Sequence, residues 1–261
     1  MKEKLQKIII PLIIIFAITS LQIYGAEYNR ATAWYFKKTT DHTQPKLDPT
    51  LSFIEKYNCA YVDKNHNESS EDKVLYITFD AGYENGNVAK ILDTMKAENV
   101  QGSFFILENL IKRNPEIVER MYSDGHCICN HTAKHKDMSR ITEKETFRSE
   151  IEKLEVIYRD ATGRELAKIY RPPEGRFSEL NLLHATELGY KTVFWSFAYA
   201  DWDNKNQMSE EEAIKRILDG THNGAIILLH PTSETNAKIM SRLIGEWKRE
   251  GYSFETLDNL P

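Results

Sequence analysis

The sequence predicts one α/β domain built on a parallel sheet that closes into a barrel. Three observations predict it. After residue 73, about seven short apolar runs alternate with stretches of helical periodicity. No linker rich in Gly, Pro or Ser divides them. Four polar residues, Asp80, His131, Arg171 and His230, each stand at the C-terminal end of a different apolar run. The alternation alone implies a parallel sheet, open or closed. In a barrel those strand ends meet at one mouth. In an open sheet only the ends beside the switch point can meet. The polar strand ends therefore favour the barrel.

The elements follow in order. "VLYITFD" is a strand, and residues 85–99 form a helix with Val88, Ile91, Leu92 and Met95 on one face. "GSFFI" is the next strand. Residues 109–122 are helical, with Pro115 dividing them into two pieces. "HCICNH" is a strand. Residues 142–161 form a long helix opened by a capping box from Thr142 to Glu145. "AKIYRPP" is a strand stopped by proline. Residues 178–188 form a helix between the cap Ser178 and Gly189. "KTVFWSF" and "GAIILLH" are strands on either side of a helix at 209–220. A helix at 234–250 and a short strand in "YSFETL" finish the chain.

Ahead of this domain, residues 26–72 form a lead-in with scattered aromatics that packs on the barrel. Residues 1–25 differ again. "MKEKLQK" carries three lysines and one glutamate, and the 17 residues "IIIPLIIIFAITSLQIY" are uncharged and mostly apolar. This reads as a signal peptide cleaved near Gly25 or Ala26, or as a retained N-terminal anchor. Its loss would take the formal charge from −5 to −7. Acids and bases are interspersed with no basic block, so nucleic acid is not an expected partner. The three cysteines, Cys59, Cys127 and Cys129, make a poor disulfide framework. Cys127 and Cys129 read as buried apolar residues on one strand face.

The chemistry is concentrated at the strand ends. In "NHTAKHKD", His131 and His135 are four apart, a spacing that lets two imidazoles bind one metal. Thr132 stands where a zincin would have its glutamate, so a base must come from elsewhere. His230 follows "AIILL" at the end of a buried run, and an imidazole there can exchange protons near neutral pH. Asp201, in "YADWD", could orient that imidazole. Arg171 sits between a strand and the double proline of "YRPPEG", where it could pin a carboxylate through a bidentate pair.

Taken in order, "TFDAG", "HTAKH", "RPPEG", "ADW" and "LLH" resemble the motifs of the polysaccharide deacetylases of the NodB-homology type, carbohydrate esterase family 4. The lead-in, "GYENGN" and "VFWSFAYADWD" are similar to its spore-cortex branch, the delta-lactam-biosynthetic muramic acid de-N-acetylases. The resemblance spans essentially all of the chain after residue 25. It implies a distorted, TIM-like (β/α)7 barrel and hydrolysis of an N-acetyl group. It also implies that Asp80 is the general base, braced by Arg171, and that His230 is the general acid, supported by Asp201. His131 and His135 become metal ligands for a divalent cation, zinc by expectation. The backbone N–H of Glu174, which replaces the family's tyrosine, becomes an oxyanion donor. Ala81 replaces the family's third metal ligand, so weak metal binding is expected.

The expected substrate is the glycan strand of peptidoglycan, reached outside the cytoplasmic membrane after an amidase has removed the stem peptides. A monomer is expected. Two other functions stay open at this point: deacetylation of N-acetylglucosamine in peptidoglycan or a chitin-like glycan, and a non-catalytic glycan-binding barrel.

Overall fold

The computed structural model describes residues 28–39 and 41–261. The expected export segment, residues 1–25, lies outside them. No helix among the described residues is long and apolar enough to cross a membrane.

Two short strands, β1 (Thr32–Ala33) and β2 (Cys59–Ala60), precede the long β3 (Lys73–Ala81). There follow α1 (Asn87–Ala97), β4 (Ser103–Ile106), α2 (Glu108–Arg113), α3 (Pro115–Ser123) and β5 (Cys127–Asn130). Next come α4 (Lys144–Thr162), β6 (Ile169–Tyr170), β7 (Arg176–Phe177), α5 (Glu179–Glu187) and β8 (Lys191–Val193). The chain ends with α6 (Glu210–Gly220), β9 (Ala225–Leu229), α7 (Glu234–Arg249) and β10 (Tyr252–Phe254).

Every pairing between strands of the main sheet is parallel, as the alternation predicts. β3 is its hub. Leu75 pairs with both Phe254 and Ala225, and Phe79 with both Phe104 and Leu229. So β10 and β4 share one edge of β3, and β9 takes the other. From β4 the sheet runs through β5, β6 and β8 to β2, a strand supplied by the lead-in. Beyond β8 the chain returns to β9, where Phe197 and Ile227 form an isolated parallel bridge. The sheet is therefore curled into a distorted barrel. β1 pairs antiparallel with β7 and ties the lead-in to the loop after β6.

Strand alternation sorts β3 into two faces. Leu75, Ile77, Phe79 and Ala81 belong to the apolar layer between sheet and helices, with Ile91 and Met95 of α1 and Leu243 of α7. Val74 and Tyr76 belong to the inner layer, with Phe105, Cys127, Cys129 and Ile226. By the same alternation, Asp80 falls on the inner set and Ala81 on the helix-facing set. The Cys127 and Cys129 sulfurs lie 3.6 Å apart within the inner layer, and all three cysteines are free.

Pro115 divides α2 from α3 as expected, with Asn114 out of helical conformation between them. Ser178 caps α5 in a capping box with Asn181. The capping box expected from Thr142 to Glu145 does not form. The helix starts at Lys144 behind Glu143, whose side chain makes no cap. Thr142 is then one residue too far out to reach the orphan amides of the first turn. Burial of Phe147, Ile151, Leu154 and Tyr158 along one face sets the register of α4 without it.

Candidate active site

The mouth of the barrel gathers the polar strand ends. Asp80 accepts a hydrogen bond from Arg171 Nη1 at 2.9 Å, across 91 residues of sequence. Arg171 is fully buried. Its Nε donates to the Val193 carbonyl at 3.1 Å and its Nη2 to the Phe194 carbonyl at 3.2 Å. Its guanidinium lies 4.0 Å from the centre of the Phe105 ring. The bidentate pair expected from the sequence does not form. Only one nitrogen reaches Asp80, because the other two hold the carbonyls at the end of β8. Burial works against the charge on Asp80, but His131, Arg171 and His230 together pull its carboxyl below the ordinary range.

His131 is buried, with Nδ1 2.9 Å from the Arg171 carbonyl. A carbonyl only accepts, so Nδ1 carries the proton and Nε2 keeps its lone pair. Nε2 lies 3.5 Å from the second Asp80 oxygen. Burial is the main cause that pushes the His131 pKa down to about 4. The ring is therefore neutral near pH 7. The His135 ring centre lies 5.0 Å from that of His131. The loop joining them runs through Thr132 at φ 71° and His135 at φ 56°, both left-handed.

The two imidazoles suit a shared cation, since His131 presents an unprotonated nitrogen by its own hydrogen bonding. Ala81 supplies nothing further, being fully buried in the helix-facing layer. Among the described residues no group of three or more His, Cys, Asp or Glu side chains is assembled to hold a metal. The residues that would hold a cation here are the two imidazoles, His131 and His135.

On the opposite wall, His230 Nδ1 lies 2.7 Å from Asp201 Oδ1, and the His230 amide donates to Oδ2 at 2.8 Å. Asn236 also donates to Oδ2, at 2.6 Å, so the buried carboxylate is fully engaged. Burial of the imidazole is the largest single influence and opposes its charge, but the bond to Asp201 and the negative charges of Asp201 and Asp80 together outweigh it and raise the His230 pKa. Asn236 has no signal in the sequence. It is the third residue of α7, and its amide is taken by the cap Ser233.

These groups line one cleft of about 660 Å3, with Asp80, His131, His135, Glu174 and His230 among its walls. Tyr83, Trp195, Tyr199 and Trp202 supply its aromatic surface. Trp202 is 61% exposed and its ring centre lies 6.1 Å from that of His230. Tyr83 accepts a hydrogen bond from Asn204 at 3.0 Å, which links the loops after β3 and β8. Tyr83 stood in "GYENGN" and the other three in "VFWSFAYADWD", but nothing in the sequence marked any of them as a wall of the site. Glu174 follows the double proline with φ 55°. A side chain at the next residue, Gly175, would meet the Trp195 ring at 2.8 Å, so only glycine fits there.

A carboxylate biased towards its anion, an imidazole biased towards its cation and the neutral His131 imidazole beside His135 face one cleft. That set can take a proton from water on one side and return one to a leaving group on the other. It is the equipment of a hydrolase acting on a poor leaving group such as an amine.

The chain belongs to the polysaccharide deacetylase family, hydrolases of amide bonds, whose profile matches residues 67–193. Over 89% of its length it is 37% identical to the peptidoglycan-N-acetylmuramic acid deacetylase PdaA of Bacillus subtilis, covering 86% of that protein. The solved structure of Bacillus subtilis PdaA, a family 4 carbohydrate esterase, matches it with a TM-score of 0.83 over 89% of this chain and 97% of that one. A peptidoglycan-N-acetylglucosamine deacetylase of Bacillus cereus is 32% identical over 91% of this chain and 86% of its own length.

Proposed function

We propose that this protein removes the acetyl group from N-acetylmuramic acid in peptidoglycan strands whose stem peptides an amidase has already taken off. The observation that carries the reading is that Asp80, paired with Arg171, and His230, paired with Asp201, face one cleft. Asp80, kept ionised by Arg171, takes a proton from water as its oxygen attacks the acetyl carbon. The backbone N–H of Glu174 donates to the developing oxyanion. His230, aligned by Asp201 through Nδ1, gives the proton on Nε2 to the sugar nitrogen. The C–N bond then breaks, leaving acetate and a free amine. His131 and His135 would hold a divalent cation, zinc by the preference of such donors, which when bound supplies Lewis acidity toward the acetyl oxygen.

The freed amine stands near the lactyl carboxyl of the same sugar, so closure to the muramic δ-lactam of spore cortex is the product we assign to the process. The substrate requires action outside the cytoplasmic membrane, in agreement with the expected export segment. The name of the Bacillus cereus relative favours a second reading, deacetylation of N-acetylglucosamine.

Acetate release from strands freed of stem peptide, with mass analysis of the sugar that bears the amine, tests the proposal. Amine on muramic acid supports it. Amine on glucosamine moves the assignment to the second reading. Strands that bind wild type without releasing acetate would leave a binding protein.

A further inference from the structure

The two imidazoles of the mouth are held in different ways. The His131 ring is pinned by the Arg171 carbonyl. His135 is exposed, and its ring makes no hydrogen bond among the described residues. Its backbone therefore decides where the side chain starts relative to His131, 5.0 Å away between ring centres. That backbone is left-handed at Thr132 and at His135, a costly conformation for a β-branched residue in particular. Such a loop keeps its shape only if its surroundings hold it.

Two buried carboxylates do so. Glu108 opens α2 and is 4% exposed, and Glu150 of α4 is 7% exposed. Glu108 binds the ammonium of Lys134, and Glu150 that of Lys136, the two residues flanking His135. The backbone repeats the grip at Ala133. The Glu108 amide donates to the Ala133 carbonyl at 3.3 Å, and the Ala133 amide to the Glu150 carbonyl at 3.2 Å. Lys112 and Lys153 add further charge to Glu108 at 3.4 and 3.5 Å.

We propose that Glu108 and Glu150 are positioning residues, which clamp the lysines on either side of His135 and so aim the second imidazole at the first. The inference rests on the reading of His131 and His135 as a cation site. Glu108→Gln and Glu150→Gln should each weaken zinc binding to the metal-free protein, titrated calorimetrically, by about tenfold or more. Lys134→Met approaches the same contact from the surface, with less risk to folding, and should match Glu108→Gln. Lys134→Arg should restore binding. Amide hydrogen exchange in the metal-free proteins supplies a reading independent of zinc. Exchange at the Ala133 and His135 amides, which donate to the Glu150 carbonyl and the Thr132 hydroxyl, should quicken by about tenfold while the core strands are unchanged.

Unchanged zinc affinity in both Glu variants, or unchanged exchange in the loop, overturns the clamp. If wild type binds no zinc at all, the cation reading falls instead. The exchange measurement alone then decides whether the carboxylates hold the loop.

Discussion

His230 Nδ1 and Asp201 Oδ1 stand 2.7 Å apart, and the same aspartate takes the His230 amide with its other oxygen. One carboxylate thus fixes both the ring and the backbone of a residue 29 positions later. The arrangement dictates the tautomer, because Nδ1 can only donate to a carboxylate, and it favours the charged ring.

Asp201→Asn should therefore move the alkaline limb of kcat/KM to lower pH. In wild type the folded-state pKa of His230 lies above its ordinary value, so the proton persists to higher pH. The stabilisation is fully present below the ordinary histidine value of about 6.5 and is lost as pH rises through the raised value. In the variant the limb should fall back toward the ordinary histidine range. A pH–rate profile that superimposes on wild type would reject this role for Asp201.

Asp80→Asn should cut acetate release by about 10²- to 10⁴-fold while leaving glycan binding in place. The amide cannot accept the water proton, although it can still meet Arg171. Single-turnover assays beside binding by co-sedimentation with strands would separate the two effects. Comparable rates for variant and wild type would remove Asp80 from the chemistry.

Arg171→Met leaves a carboxylate without its buried partner. It should destabilise the fold by about 3–5 kcal/mol in urea denaturation. In the double variant with Asp80→Asn part of that loss should return, since no buried charge is then left alone. Strict additivity of the two changes would mean that the pair is not coupled.

Ala81→Asp puts a carboxylate into the layer that holds Phe79 and Ile91. The metal-free variant should lose about 1–3 kcal/mol, the cost of an unsatisfied buried polar group. If that carboxylate turns out of the layer to join His131 and His135, zinc should raise the melting temperature more than in wild type, because a ligand held only in the folded state stabilises it. A zinc response equal to wild type would show that position 81 does not reach the imidazole pair. Wild type, with its smaller ligand set, should lose zinc and activity on dialysis against a mild chelator.

Trp202→Ala should raise KM by about 3- to 10-fold, the equivalent of about 1 kcal/mol of aromatic packing, with little change in kcat. The indole is largely exposed at the edge of the cleft, where it can meet a sugar face but not the reacting atoms. A fall in kcat at constant KM would instead assign it to the alignment of His230.

Periodicity placed β3, α1, both halves of the helix broken at Pro115, α5 and α7 close to their observed positions. Each of them buries a continuous apolar face, and that face is written in the residues themselves. The strands expected at 167–173 and 191–197 shrink to Ile169–Tyr170 and Lys191–Val193. There the chain bends to close the barrel, and long-range pairing rather than local pattern decides where hydrogen bonds run. β2 was not legible, because two residues leave no period to read. The bidentate geometry expected of Arg171 failed for a similar reason. Its nitrogens are claimed by carbonyls that arrive from β8.

The residues alone determined the barrel, the four strand ends that carry Asp80, His131, Arg171 and His230, and the family to which their spacing belongs. Side-chain type and order along the chain suffice for that. Only the tertiary structure decided what each group meets: Asn236 beneath Asp201, the aromatic walls of the cleft, the lysine clamps around His135, and the apolar layer around Ala81. These contacts join positions tens of residues apart. Their strength depends on burial, which sets the dielectric, the hydrogen-bond partners and hence the charge that each group carries.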